Sequence, residues 1–151
     1  MSFLNKLKAM GSQAGKEAQD TWSRFNNTAF ADATMAACAL IGAADGKIDQ
    51  NERTRTAQFI TTSDKLKAFN VADMKTKYDN FCNKITADFD FGKIELMQVI
   101  GRVAGKPDQA RAVVQLALVI ANADGEFSPD EQKVMRDVIF ALKLTPAEFG
   151  L

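Results

Sequence analysis

Two acidic segments repeat at a fixed offset and contain the residues best suited to chemistry. Residues 41–52 recur as residues 120–131, so Asp45 corresponds to Asp124 and each residue lies 79 positions from its counterpart. Clustered carboxylates repel one another unless a cation, a basic partner or solvent stabilises them. The repeat therefore predicts an ion-binding module built on two related helical hairpins, rather than a catalytic centre.

Each segment shares the spacing of Asp-Gly and a later Glu with a calcium-binding EF-hand loop. The first two ligand positions of such a loop would be Ile41 and Ala43, or Ile120 and Asn122, and only Asn122 among them could coordinate through its side chain. We therefore expect one site shared by both loops rather than two independent EF-hands. An all-oxygen ligand set favours Ca²⁺, Mg²⁺ or Mn²⁺ over Zn²⁺ or Cu²⁺.

Helix capping is a competing interpretation of the same residues. The side chain of a Ser or Asp that begins a helix accepts a hydrogen bond from a backbone N–H of the first turn, and the carboxylate of a Glu three positions later can accept from the backbone N–H of that first residue. The pairs with this spacing are Ser128 with Glu131 and Asp49 with Glu52. Each cap contributes about 1 kcal/mol without any ligand. Capping does not explain Asp45 and Asp124, although an Asp before Gly can also form a local hydrogen bond within a turn.

The amino-acid composition argues against several classes of function. The 151-residue chain has 19 basic and 19 acidic residues, so its balanced charge predicts no nucleic-acid partner. It has no histidine, which removes the commonest general base and predicts a non-enzymatic role. Cys38 and Cys82 form no CxxC pair and are predicted to be buried free thiols of a cytoplasmic protein. Thiol-based redox chemistry is the rival that these two residues leave open.

Apolar periodicity predicts an all-α single domain of about seven helices, with a pseudo-twofold repeat of helical hairpins near 30–62 and 109–142. Residues 1–28 are predicted to form an N-terminal amphipathic and polar helical segment, and residues 29–151 the helical domain. The apolar side of that segment, which could pack on the domain or contact a membrane surface, comprises Phe3, Leu4 and Leu7.

Between the two repeats the sequence predicts two connecting helices. Asn70 is placed to cap the first of them. The inward residues of this helix are predicted to be Met74, Tyr78, Phe81 and Ile85. Residues 88–92 are expected to separate it from the second helix. There, the residues predicted to face inward are Ile94, Met97, Ile100 and Val103.

The chain resembles the TerB-type tellurite-resistance proteins over nearly its whole length. The resemblance rests on the start Met1-Ser2-Phe3, Ala44-Asp45-Gly46, Ala123-Asp124-Gly125, Phe89-Asp90-Phe91 and the ending Pro146-Ala147-Glu148-Phe149-Gly150-Leu151. It implies an all-α fold with an internal duplication. It also implies membership of a bacterial stress-response system linked to oxyanion, phage and colicin resistance.

The resemblance further implies a metal site at the repeated loops. Matched residue by residue, it assigns as ligands Asp45, Asp49, Glu52, Asp124 and Glu131. Ser128 stands where Asp49 stands in the first repeat, which weakens a symmetric site, and Asp130 could compensate. Relatives of this type work beside an integral membrane protein, which implies a peripheral subunit at the inner membrane. The alternative is a structural adaptor whose acidic loops cap helices or contact another protein.

Overall fold

The computed structural model describes residues 27–63, Leu66, 69–123 and 127–151. The predicted segment 1–28, with Phe3, Leu4 and Leu7, therefore lies outside the described residues except at its last two positions. The described chain is all-helical and contains no strand, which confirms the predicted fold class. Its six α-helices are α1 (Thr28–Gly42), α2 (Gln50–Thr62), α3 (Val71–Ala87), α4 (Phe89–Gly101), α5 (Pro107–Ala121) and α6 (Pro129–Ala141). A 3₁₀ helix, Pro146–Phe149, follows, against a predicted total of about seven helices.

The helix boundaries follow the sequence repeat. Both ends of α1 and α2 lie 79 positions before the corresponding ends of α5 and α6. The hairpins also interlock, because α1 packs against α5 and α6, while α2 packs against α5. Exchanging the hairpins leaves this set of contacts unchanged. The equivalence is incomplete, since α3 and α4 pack mainly on α1 rather than on α5.

Helix α1 lies at the centre of the described domain. It contacts α3, α4, α5 and α6, and most of its length is buried. Its small side chains allow this close approach on several sides, and the buried set includes Ala33, Ala36, Ala37 and Ala39. The second buried helix is α5, whose predicted inward residues Val113, Val114, Leu116, Ala117 and Ile120 are all buried.

Helices α3 and α4 are separated by one residue rather than by the predicted five. Asp88 ends α3 and caps α4, where its carboxylate accepts from the Phe91 N–H at 3.0 Å. Its extended backbone, with φ −156° and ψ 111°, makes the turn in a single step. The predicted break is therefore present, but it lies at Asp88 alone rather than over 88–92, because one Asp provides both the turn and the cap.

The inward face of α4 also differs from the prediction. Ile94 is 57% exposed, whereas Leu96 and Val99 are buried in its place. Ile100 and Val103 are buried as predicted, and Met97 is half-buried. On α3 the predicted cap is present, since Asn70 accepts from the Asp73 N–H at 3.1 Å. The predicted core positions of α3 are buried at Met74, Tyr78 and Ile85 and half-buried at Phe81.

Candidate functional site

The loop between α1 and α2 places Asp45 in solvent. Its Oδ1 accepts from the Lys47 N–H at 3.3 Å, which is a local turn bond. Gly46 has a φ of 97°, in the left-handed region that glycine adopts without strain. The loop therefore turns as its Asp-Gly pair predicts, and the carboxylate stays exposed beside it.

The predicted helix caps are present at both repeats. At α2, Asp49 Oδ1 accepts from the Glu52 N–H at 3.0 Å. At α6, Ser128 Oγ accepts from the Glu131 N–H, and Glu131 Oε1 accepts from the Ser128 N–H, both at 3.2 Å. The α6 bonds form the reciprocal capping box, with Pro129 in the first turn. These capping bonds explain part of the role of Asp49 and Glu131.

The structure brings together one carboxylate from each repeat. Glu52 on α2 and Glu131 on α6 both line a cavity of about 320 Å³. Helices α1, α2, α3, α5 and α6 and the loop after α5 surround this cavity, so it lies where the hairpins meet. Each of the two glutamates is only partly exposed. A shared site, if the loops form one, therefore has its centre here.

The remaining predicted ligands are less closely assembled. Asp49, the residue that caps α2, and Asp130, in the first turn of α6, are both exposed, and Asp124 lies outside the described residues. Among the residues that the structure does describe, no three acidic or cysteine side chains group closely enough to hold a metal ion. The predicted six-ligand set thus stays a prediction, with only the glutamate pair placed on a common cavity.

Asn122 is an oxygen donor that the predicted ligand set leaves out. Its Oδ1 atom is buried and accepts no hydrogen bond in the described part of the chain. An unpaired buried oxygen costs free energy unless a donor or a cation reaches it. The signal for Asn122 is present in the sequence, because among the first two EF-hand-like ligand positions of each loop it alone has a coordinating side chain.

Arg53 and Arg55 line the same cavity, and the Arg53 charge is only partly offset on the side facing α3. Its guanidinium lies 3.4 Å from Asp79 Oδ1 and 2.9 Å from Asn83 Oδ1. Burial raises the pKa of Asp79, but hydrogen bonds and charge from Lys75 and Arg53 outweigh it and hold that pKa below its ordinary value. The Asp79 carboxylate therefore stays ionised and shares its negative charge between Lys75, at 2.7 Å, and Arg53, at 3.4 Å.

Both cysteines are buried. Cys38 on α1 lines the cavity wall, and Cys82 on α3 lies in the core beside Tyr78. Burial, assisted by the neighbouring Cys82, raises the pKa of the Cys38 thiol far above its ordinary value. Burial likewise raises the pKa of Cys82 to about 11, partly offset by a hydrogen bond with Tyr78. The nucleophilic thiolate is therefore scarce at neutral pH.

We expect neither thiol to react with the disulfide reagent DTNB while the protein is folded, because both are buried and protonated. Unfolding in guanidinium should make two thiols per chain react with DTNB. Unfolded Cys38→Ser and unfolded Cys82→Ser should each show one reactive thiol. The measurement is the absorbance of the released thiolate with and without denaturant. Rapid native-state reaction of either residue would revive the redox interpretation.

Comparison with known proteins identifies the family to which this chain belongs. The family model described as "Tellurite resistance protein TerB" matches residues 31–151, which is most of the chain and nearly all the described helices. The chain belongs to the TerB family. It is 29% identical over 122 residues to a tellurium resistance protein TerB from Alcaligenes sp., covering 78% of this chain and 97% of that protein. No solved structure matches it significantly.

The TerB match includes both hairpins and the cavity between them. It begins inside α1 and runs to Leu151, so the predicted family resemblance is confirmed over the helical domain. No helix among the described residues has both the length and the apolarity to cross a bilayer.

Proposed function

We propose that this TerB-family protein is a non-enzymatic interaction module of a tellurite-resistance system, and that its two acidic loops bind one divalent cation. The observation that supports this proposal is the convergence of Glu52 and Glu131 on one cavity. The two residues belong to different repeats but occupy corresponding positions. A cation bound at this junction would link the hairpins and set the surface they present to a partner.

The available donors suit a hard cation. Carboxylate and amide oxygens are the ligands that Ca²⁺, Mg²⁺ and Mn²⁺ prefer. A further oxygen is the unpaired Oδ1 of Asn122, the residue that follows α5, although Asn122 is not among the residues that line the cavity. The proposal assigns the remaining ligands to Asp45, Asp49, Asp124 and Asp130 on the two loops. The ion would supply positive charge that relieves the repulsion among these groups.

We further propose that the partner is an integral membrane protein of the same system. On this proposal the protein acts from the cytoplasm as a peripheral subunit at the inner membrane. The segment with Phe3, Leu4 and Leu7 would contribute an apolar contact to that assembly. Co-purification of the full chain with membrane vesicles from cells carrying the resistance system is the direct check.

Calorimetric titration of chelator-treated protein with Ca²⁺, Mg²⁺ and Mn²⁺ tests the cation site. We expect saturable binding of at least one ion, because oxygen donors from both repeats face one junction. The double variant Asp45→Ala/Asp124→Ala should lose that binding while keeping its helical circular dichroism. The matched control is Asp90→Ala, which removes an exposed first-turn carboxylate from α4. Absence of binding by the wild type, or equal loss in the control, contradicts the cation site.

A structural adaptor is the second candidate, and the observed caps favour it. Asp49, Ser128 and Glu131 all make their capping bonds. If capping is their whole role, Glu131→Ala lowers the free energy of unfolding by about 1 kcal/mol. That loss would be the same with chelator and with each ion. A larger loss in the presence of an ion supports the cation site instead, because ligand binding adds stability only to the folded state.

A further inference from the structure

We infer that the outward face of α6 binds an anionic lipid bilayer directly, with the Phe140 ring entering the headgroup region between basic side chains. This α6 face comprises Lys133, Arg136, Phe140 and Lys143. The inference rests on the proposed role at the inner membrane and names the surface that contacts lipid. It uses neither the cavity nor the proposed cation ligands.

The α6 face lies opposite the side of the helix that packs in the core. The buried side is formed by Met135, Val138 and Ile139. On the other side, Lys133, Arg136 and Phe140 follow one another at spacings of three and four, which places them on one face of a helix. Lys133 is exposed, Arg136 is partly exposed and Phe140 is 62% exposed. Lys143 lies in the next turn, where its N–H donates to the Phe140 carbonyl at 2.9 Å.

The charge of the α6 face is positive. Between Gln132 and Ala147 the chain has the three basic residues of this face and one acidic residue, Asp137. None of the three basic residues forms an ion pair with a residue that the structure describes. By contrast, Lys84 on α3 lies 2.6 Å from Glu95. The cations of the α6 face are therefore available to an external anionic surface.

An exposed aromatic ring among unpaired cations suits an anionic bilayer. The ring can bury its apolar surface at the boundary between headgroups and acyl chains. The basic side chains remain at the level of the lipid phosphates, and each one near the membrane surface adds to the attraction. The α6 face offers both contributions within three turns of one helix.

The other exposed apolar patch of the described domain does not have this charge. It is formed by Phe91, 73% exposed, and Ile94, 57% exposed, on α4. The charged residues next to it along α3 and α4 are Lys84, Asp88, Asp90, Lys93 and Glu95. These are three acids against two bases, so an anionic bilayer would be repelled rather than attracted there.

The N-terminal residues join the domain at the end where Phe140 lies. Phe140 is in the last turn of α6, and the 3₁₀ helix that packs on α6 is tied to the start of α5, because Glu148 accepts from Arg111 at 2.7 Å. Asn27 caps α1 and donates to Gln109, also near the start of α5, at 3.3 Å. Residues 1–26 therefore precede a position at this same end of the domain.

The composition of residues 1–26 supports the same orientation. They include four basic and two acidic residues, together with Phe3, Leu4 and Leu7, which are proposed above to contact the membrane. A bilayer below this end of the domain could thus contact the N-terminal segment and the α6 face together. The location of the segment is the reason for choosing a lipid surface over an acidic protein.

Sedimentation with lipid vesicles tests the inference on the purified full chain in the presence of a chelator. The vesicles consist of phosphatidylcholine with or without phosphatidylglycerol. We expect binding to the vesicles with phosphatidylglycerol, and weaker binding as salt is added, because salt screens the attraction. Polyglutamate serves as the probe for an acidic protein segment.

The variant Lys133→Gln/Arg136→Gln/Lys143→Gln should bind these vesicles at least about tenfold more weakly, since each basic residue near an anionic surface contributes about fivefold in affinity. The matched control is Lys47→Gln/Arg55→Gln/Lys93→Gln. It removes the same number of positive charges from α2, α4 and the loop before α2. The control should weaken binding much less, and both variants should keep the helical circular dichroism of the wild type.

Tryptophan fluorescence tests the orientation independently of the charge variants. Trp22 is the only tryptophan of the chain, so Trp22→Phe provides a silent background. In that background, Phe140→Trp should shift its emission to the blue when vesicles with phosphatidylglycerol are added. Phe91→Trp is the matched control, because Phe91 is also exposed but lies among acidic residues. Its emission should stay unchanged.

Several outcomes overturn the inference. These are no binding to vesicles with phosphatidylglycerol, equal binding to both kinds of vesicle, equal weakening by the two triple variants, or a blue shift at position 91 rather than 140. Binding of polyglutamate without binding of vesicles would assign the α6 face to an acidic protein segment instead. Loss of binding in Phe3→Ser/Leu7→Ser, with none in the α6 variant, would assign lipid contact to the N-terminal segment alone.

The vesicles contain no protein, so their result is independent of the proposed membrane partner. Failure to bind them removes the α6 face as a lipid contact and leaves the partner to be judged by co-purification. Failure of co-purification together with vesicle binding removes the partner and leaves the lipid contact in place.

Discussion

Phe30→Ala is expected to lower the free energy of unfolding by about 3–5 kcal/mol, the usual range for removing a buried aromatic side chain. Phe30 is completely buried near the start of α1, the helix on which α3, α4, α5 and α6 pack. Its ring stacks on Phe69, with centroids 5.9 Å apart and an interplanar angle of 21°. Truncation leaves a cavity against Phe69 and removes this ring contact.

Guanidinium denaturation followed by circular dichroism measures the effect of Phe30→Ala. The matched control is Phe140→Ala on α6, because Phe140 is 62% exposed. It should change the free energy of unfolding by no more than about 0.5 kcal/mol. Phe30→Leu should fall between the two, since it keeps much of the buried volume. Equal effects of Phe30→Ala and Phe140→Ala would contradict the central position of α1.

The sequence predicts the repeated hairpins because local signals mark their ends. Asp49 and Ser128 begin α2 and α6 through caps that depend only on residues three positions away. Pro129 has no backbone donor to lose in the first turn. Gly46 ends the preceding turn with a positive φ. Such interactions within one turn do not depend on the rest of the fold, so they can be predicted from spacing.

The orientation of α4 could not be predicted in the same way. It has apolar residues on two sides, with Phe91 and Ile94 on one and Leu96 and Val99 on the other. Periodicity identifies a helix here but does not choose between two apolar faces. Packing against α1, α3 and α6 decides the choice, and it buries Leu96 and Val99. Only the tertiary structure contains that information.

The candidate site, too, could be predicted from the sequence only in part. The acidic residues and their caps are recognisable from the repeat, but the placement of Glu52 and Glu131 on one cavity depends on how α1, α2, α5 and α6 cross. The cavity beside them and the space next to Gly42 are also products of packing. No spacing rule connects a glycine at the end of α1 with the hydroxyl of Tyr78. Sequence thus identified the functional groups, while the structure identified the space they enclose.

Gly92→Ala should destabilise the protein by about 1–3 kcal/mol, the usual cost of overpacking, although alanine is the better helix former. Helix propensity alone favours alanine by up to about 1 kcal/mol in a helix interior. Packing opposes it, because an added Cβ would lie 2.9 Å from Ile85 Cα and 2.9 Å from Lys84 O. Both are backbone atoms of α3, so relief requires α4 to move away from α3. The packing effect therefore decides the sign of the change in stability.

Gly101→Ala is the control that separates these two effects. Gly101 lies at the other end of α4, and no atom falls within 4 Å of an added Cβ there. This variant should be neutral or slightly more stable, since propensity acts without a clash. The measurement is the midpoint of thermal unfolding for the two variants and the wild type. A higher midpoint for Gly92→Ala than for the wild type would show that α3 and α4 are not held together at Gly92, and that α4 can shift at little cost.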